Sequence, residues 1–392
     1  MRVSQKMVLL TCLYLAQGLP YGFFKQALPV MMRDRGASLP EIGLLSLLTL
    51  PWALKFLWAP LVDGLGGRRR WIFWLQVVSC LLFLGLGAWN PDSGYGVLAW
   101  GFFLANLLAA TQDIASDGLA VTILAPHERG WGNGIQVAGY RVGMILGGGF
   151  ILMAFGLLGW RGMFWLIAAM MVLCLLPLLW ARPAKRTVTP VRGSWKVLWQ
   201  RMRRAHFMPW VAVAAFYKFG DAIGSNMLQP FFRDQGMALW EIGKLLGTIG
   251  FVAGLLGALA GGALVVKLGR LHAVLWFGVI QAIAVALYAV VGADTPMLIR
   301  DGVCALEHFT GGMATAAIFT VMMDVCAPET AATDYAIQAS AVVMATSLAG
   351  VVGGFVAEHA GYVVNFLVSG GLSLLGAWWF GRRYPALVAH LT

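Results

Sequence analysis

Charge is scarce in this sequence of 392 residues: Asp, Glu, Lys and Arg together make up 11% of it. A soluble domain carries about 25% charged residues, so a fully water-facing surface is excluded. Cysteine is sparse too. Cys12, Cys80, Cys174, Cys304 and Cys326 are scattered inside apolar segments without metal-ligand spacing, which argues against a metal centre and a disulfide framework. No HExxH, G-x-S-x-G or P-loop pattern occurs, so neither an enzyme nor a resident cofactor is expected.

What the sequence has in abundance is apolar length. Hydrophobic residues account for 60% of it, and runs such as "VVSCLLFLGLGAW" and "FWLIAAMMVLCLLPLLW" are apolar all round, as lipid-facing helices are. At about 20 residues per span the chain accommodates about 12 helices. We place them at roughly 7–32, 42–62, 71–89, 96–122, 131–157, 160–181, 207–232, 241–265, 271–291, 297–324, 330–356 and 361–380. The N-terminal apolar run outlasts a signal peptide and lacks a small-x-small cleavage site, so it reads as a permanent first span. The expected class is an all-α polytopic membrane protein.

The net charge of +11 would suit a nucleic-acid binder, but its distribution argues otherwise. Lys and Arg gather at Arg68-Arg69-Arg70, at Lys267 and Arg270, at Arg382-Arg383 and between 182 and 204. The loops near Asp92 and Asp294 carry no Lys or Arg. Under the positive-inside rule the basic loops and both termini are cytoplasmic. The partners expected are the bilayer, a small-molecule solute and protons, with no nucleic acid, and the chain is expected to act as a monomer.

A duplication organises the chain. "RDRGASLPEIG" from Arg33 returns as "RDQGMALWEIG" from Arg233, with seven identities in eleven positions. Gly67-Arg68 returns as Gly269-Arg270, Ala125-Pro126 as Ala327-Pro328, and Ile135-Gln136 as Ile337-Gln338. The division is a six-helix half at 1–181, a basic linker at 182–206 and a second half at 207–392. Two such halves describe the major facilitator architecture, whose solute site lies near the midplane and whose halves rock to give alternating access. The loop "DGLGGRRR" resembles that family's loop motif, in which Asp63 and Arg68 would latch helix ends. The second copy has Val265 where the Asp would align, so a weaker latch is expected there.

Ionisable groups inside spans cost about 2.5–3.5 kcal/mol each on insertion scales, so each needs a reason. In the seventh span, "FYKFGDAIGSN" sets Lys218 and Asp221 three apart on one helix face. They form either a structural ion pair or one that opens for a proton or an anionic solute. In the fourth span, "TQDIASDG" sets Asp113 and Asp117 one turn apart, with Arg141 and Lys55 as possible partners. In the tenth, Glu307 and His308 lie near mid-membrane; neighbours in sequence point different ways, and Glu307 is favoured as the proton carrier. Gln17 and Lys25 add polar groups to the first span's share of the pathway, and Gln26 stands beside Lys25. Asp334 and Gln338, four apart at the start of the eleventh span, join Lys55, Asp63, Arg68 and His308 as gating or structural charge.

Taken together, "KFLWAPLVD", "TQDIASDG", "ERGWGNGIQVAGYRVG", "YKFGDA" and "HFTGGMATAA" resemble the AmpG-type permeases of the major facilitator superfamily. That family also holds acetyl-coenzyme A transporter relatives and siderophore permeases of the RhtX/FptX type. The resemblance implies proton-driven import across an inner membrane, with Lys218, Asp221, Asp113, Asp117 and Arg141 on the family's charged motifs. Because "YLAQGLPYGFFKQALPV" and "TDYAIQAS" look closer to the siderophore branch, a ferric siderophore is the expected solute. The alternatives are a muropeptide or the export of a small amphipathic compound. Charge placement also predicts topology: a reporter fused near Arg192 should be cytoplasmic, and an external reporter would invert the assignment.

Overall fold

The computed structural model describes residues 1–34, 48, 50–65, 67–89, 95–180, 195–204 and 206–388. Several sequence expectations lie outside these residues: Gly36 and Glu41 of the first repeated phrase, the start of the second span, Asp92, and Arg182, Lys185, Arg186 and Arg192 of the linker. The side chains of Gln26, Arg33 and Asp34 also lie outside.

Seven helices among the described residues are long and apolar enough to cross a membrane. Two of them, at Arg129–Trp180 and Pro328–Leu387, run 52 and 60 residues and each holds two spans. They break at Gly159 (φ 59°) and Gly361 (φ 85°), which occupy equivalent positions in the duplication. A Cβ strains that left-handed backbone, so glycine is what lets each helix turn back. The helices Phe207–Ser225 and Met297–Val325, with the broken second span through Leu50–Leu54 and Ala59–Gly64, complete the expected set of about 12.

Two of these breaks matter for side-chain placement. In the second span, Pro60 has no N–H to donate to Phe56, and the helix tightens into a 3₁₀ turn at Lys55–Leu57. The first span contains Pro20 and widens into a π-helical turn at Phe23–Ala27, which carries Lys25. Further π-helical turns occupy Leu146–Phe150 and Leu245–Gly250.

The chain packs as two units. The first takes in Met1–Ala125, Ala138–Leu198 and Cys326–Ala336; the second takes in Pro126–Val137, Trp199–Val325 and Ile337–Thr392. Each has an aromatic core built around the same repeat position. Phe164 meets Phe23 at 5.1 Å in one, and Phe366 meets Phe231 at 4.9 Å in the other. The second copy of the repeated phrase is a helix-to-helix turn: Gly236 adopts φ 86°, Arg233 donates to the Met237 carbonyl at 3.0 Å, and Glu241 accepts from the Ala238 N–H at 2.8 Å.

Small residues set how closely the first and fifth spans approach. A Cβ at Gly147 would fall on the Leu19 carbonyl, whereas one at Gly149, two residues on, would meet nothing within 4 Å. Gly147→Ala should therefore lower the thermal unfolding temperature by several degrees while Gly149→Ala leaves it unchanged. Equal behaviour of the two variants would contradict this packing.

Candidate functional site

In the first unit the 3₁₀ turn delivers the Lys55 amine into the protein interior, where the residue is only 3% exposed. Its Nζ bonds Asp113 Oδ2 and lies 3.7 Å from Asp117 Oδ2. Tyr14 donates its hydroxyl to Asp117 Oδ1 at 2.8 Å. The expected partnership of Lys55 with the two aspartates is thus present, and Tyr14 is an addition. One amine thus stands between two carboxyl groups, and the second of these also takes the Tyr14 hydroxyl. Arg141 is half-buried in the same unit. Gln112 turns away from this cluster and donates to Gln76 Oε1 at 3.0 Å.

The first span lines up Tyr14, Gln17 and Tyr21 at helical spacing. Gln17 is 1% exposed, and neither its Oε1 nor its Nε2 finds a hydrogen-bond partner. A buried amide left so costs about 1–3 kcal/mol, a penalty that a bound polar group would relieve. Tyr21 packs against Trp52 and Tyr140 at 5.8 and 5.6 Å, and Trp52 donates to Asn106 Oδ1 at 3.2 Å. These aromatics escaped the sequence reading because Trp and Tyr in a span read first as interfacial anchors. Lys25 is exposed, with its amine 6.0 Å from the Tyr21 ring centre.

In the second unit Lys218 and Asp221 pair at 3.1 Å, as their spacing predicts. Lys218 also donates to Thr315 Oγ1 at 3.2 Å, so the seventh and tenth spans meet there. Asp221 Oδ1 is buried without a hydrogen-bond partner. The pair therefore retains an open acceptor. Glu307 and His308 were expected to diverge, yet their tips meet at 2.6 Å. His308 Nδ1 also lies 3.1 Å from the Cys304 carbonyl, and a Cβ at Gly250 would come within 2.7 Å of the imidazole ring. The imidazole therefore folds back along its own helix and against the eighth span's π-helical turn.

The remaining candidates hold helix ends. Asp63 accepts from the Thr333 N–H and hydroxyl at 2.8 and 2.7 Å and from the Ala332 N–H at 3.3 Å, while Arg68 Nη2 bonds it at 2.5 Å. Arg68 also donates to the Pro328 carbonyl at 3.3 Å. In the second copy Arg270 donates to the Pro126 carbonyl at 2.5 Å, the equivalent contact in the repeat. Val265 supplies no carboxylate, and the acid comes instead from Asp324, held by Arg270 at 2.8 Å and Arg129 at 2.7 Å. The second copy, where a weaker latch was expected, thus sets two arginines on one aspartate from another span. Asp334 accepts from the Ala327 N–H at 2.9 Å. Gln338 accepts from Trp210 Nε1 at 2.6 Å and donates to the Met322 carbonyl at 3.1 Å.

A helical chain of about 12 spans, duplicated, with ionisable groups held inside its spans, is a transporter's construction. A family model described as the Major Facilitator Superfamily matches residues 10–342. The anhydromuropeptide permease of Escherichia coli (strain K12) is 31% identical over 376 residues, covering 92% of this chain and 76% of that protein. The chain belongs to the major facilitator superfamily, among its AmpG-type permeases. A protein described as putative transporter AmpG 3 of Rickettsia prowazekii (strain Madrid E) is 24% identical, covering 92% of this chain and 91% of its own. The fold is shared with the human organic anion transporter MFSD10 (TETRAN), at TM-score 0.79 and 16% identity, over 97% of this chain and 99% of that one. The protein is thus a multi-pass membrane transporter of a small-molecule solute, and not an enzyme.

Burial ranks the charged positions of this permease. Removing one member of a buried pair strands the other, at about 3–5 kcal/mol. Lys55→Met should therefore sharply lower the yield of folded protein, and Tyr14→Phe should cost about 1.5–3 kcal/mol. Exposed Lys25→Ala should change stability by less than about 0.5 kcal/mol. Thermal unfolding of the three purified variants tests this order, and an unaffected Lys55→Met protein would contradict it.

Proposed function

We propose that this permease imports a muropeptide-type solute, a peptidoglycan fragment, across the inner membrane by alternating access coupled to protons. The observation that carries this reading is the 31% identity to an anhydromuropeptide permease, sustained over 92% of the chain. The basic loops support cytoplasmic termini, and the monomer is the proposed working form.

In the proposed mechanism a proton reaches Asp221 through its unbonded Oδ1. Neutralising that carboxylate removes the counter-charge of Lys218, 3.1 Å away, and leaves a buried ammonium in need of an anion. A carboxylate on the peptide part of the solute would satisfy it. Solute and proton then enter together because neither arrangement leaves a charge unpaired. Glu307, 4% exposed and joined to His308, serves as a second protonation site. Gln17, with both amide atoms unbonded, is the proposed neutral contact for the solute.

The ferric siderophore expected from short phrases takes second place, since neither relative described above is named for that activity. Cells with and without the protein should differ in accumulation of a labelled anhydro-muropeptide and not of ferric siderophores. The reverse result would restore the siderophore reading. Asp221→Asn and Lys218→Ala should abolish uptake, and Glu307→Gln should lose gradient-driven accumulation while retaining exchange. Normal accumulation by all three would remove these residues from the mechanism.

A further inference from the structure

We propose that Tyr21, Trp52 and Tyr140 form a stacking site for a pyranose ring, the saccharide part of the transported solute. The inference rests on the muropeptide reading and adds to it the residues that recognise the sugar. Three spans of the first unit contribute one ring each. The Tyr21 and Tyr140 ring centres lie 5.6 Å apart, and Trp52 stands 5.8 Å from the first and 6.5 Å from the second. Trp52 is edge-on to both, at 75° and 76°, so the three rings form a corner with separate faces.

Close helix packing brings the rings together. A Cβ at Gly18 would fall 2.2 Å from the Tyr140 carbonyl oxygen, and one at Gly143 would fall 2.3 Å from that of Leu15. Glycine at both positions lets the first and fifth spans touch at this level. Trp52 is fixed from the fourth span: its Nε1 donates to Asn106 Oδ1 at 3.2 Å, and Asn106 donates to the Phe102 carbonyl at 3.0 Å. With its N–H engaged, the indole is held in one orientation. All three residues are half-buried, so each keeps surface that the protein does not cover. Tyr and Trp that face lipid settle at the membrane–water interface. These three stand instead near the middle of the spans placed at roughly 7–32, 42–62 and 131–157. That is the depth of the solute site in the major facilitator architecture.

The chemistry left open at this corner selects the ligand. Among the described residues neither the Tyr21 nor the Tyr140 hydroxyl has a hydrogen-bond partner, and neither oxygen is sealed off by protein. A ligand here meets aromatic faces and available phenolic O–H groups side by side. A purely apolar ligand would leave those hydroxyls unpaired. Aromatic faces also hold cations, but a cationic ligand would meet the exposed Lys25 amine, 6.0 Å from the Tyr21 ring centre. A pyranose answers both demands. Its C–H face packs on a ring, and its rim of hydroxyl and acetamido groups bonds the phenols. Gln17, the proposed neutral contact, stands one helical turn before Tyr21 on the same face of the first span.

The test is calorimetric titration of the purified full-length protein with diacetylchitobiose, an acetylated amino-sugar disaccharide that carries no peptide. The native protein should bind it. Trp52→Leu keeps an apolar side chain but removes the π-face, and should weaken binding about tenfold or more. Trp52→Phe, which retains a face, should weaken it less. Tyr140→Phe removes a hydroxyl that has no protein partner, so it should fold normally and bind about fivefold more weakly, the worth of one ordinary hydrogen bond. That variant decides the matter should Trp52→Leu fail to fold. No binding by the native protein, or undiminished binding by Tyr140→Phe and by folded Trp52→Leu, would overturn the inference. Uptake by cells separates it from the reading on which it rests. If cells accumulate anhydro-muropeptide while the disaccharide does not bind, this inference alone fails. Ring-dependent binding of the disaccharide by a protein that carries no muropeptide would remove that reading and leave the saccharide site.

Discussion

A lysine ammonium inside a membrane span has to meet a carboxylate, because hydrocarbon offers no water to solvate it. The two units of this permease answer that requirement differently. In the first, Lys55 bonds Asp113 and lies 3.7 Å from Asp117, whose other oxygen takes the Tyr14 hydroxyl. In the second, Lys218 has Asp221 and Thr315, but one oxygen of Asp221 is left without a donor. A carboxylate oxygen without a donor has a place for an incoming proton. We propose that Lys55 and its partners hold the first, second and fourth spans together. Lys218 and Asp221 are the proposed moving charges.

Duplication explains the scaffold, and the two copies also depart from each other in their ion pairs. Gly159 and Gly361 break their helices at the same repeat position, and Phe164 and Phe366 anchor the same place in each core. Arg68 and Arg270 each reach the carbonyl of the equivalent proline. The acid that accompanies each arginine, however, comes from a different span. Asp63 stands five residues before its arginine, while Asp324 stands 54 residues after Arg270. A single Asp-to-Val difference thus coincides with a different set of salt bridges.

Much of this was legible in the residues because helical spacing is a short-range rule. The Lys218–Asp221 pair follows from three-residue spacing, and the facing of Asp113 and Asp117 from a single turn. Lys55 was one of two possible partners for them, with Arg141. Tyr14, Thr315 and Arg129 were not legible, since their partners lie 103, 97 and 195 residues away and no local pattern relates them. The meeting of Glu307 with His308 also eluded spacing rules, because it depends on the imidazole folding back toward the Cys304 carbonyl. Short phrases pointed to one solute, while the relative that is 31% identical over 376 residues is named for another. A solute contact made by Gln17 or Tyr21 would depend on helix rotation, which a single sequence leaves open.

The central claim is that the Lys218–Asp221 pair changes its bonding during transport and is not simply a neutral tie between helix turns. Reversing the pair, with Lys218→Asp and Asp221→Lys in one protein, preserves the charge balance and the three-residue spacing. The measurement is gradient-driven accumulation of labelled anhydro-muropeptide in proteoliposomes made with the reversed and the native protein. The account predicts normal reconstitution of the reversed protein with accumulation reduced to background, because the cation no longer stands where the solute's carboxylate arrives. Accumulation at the native rate would contradict it and return the pair to a purely structural role.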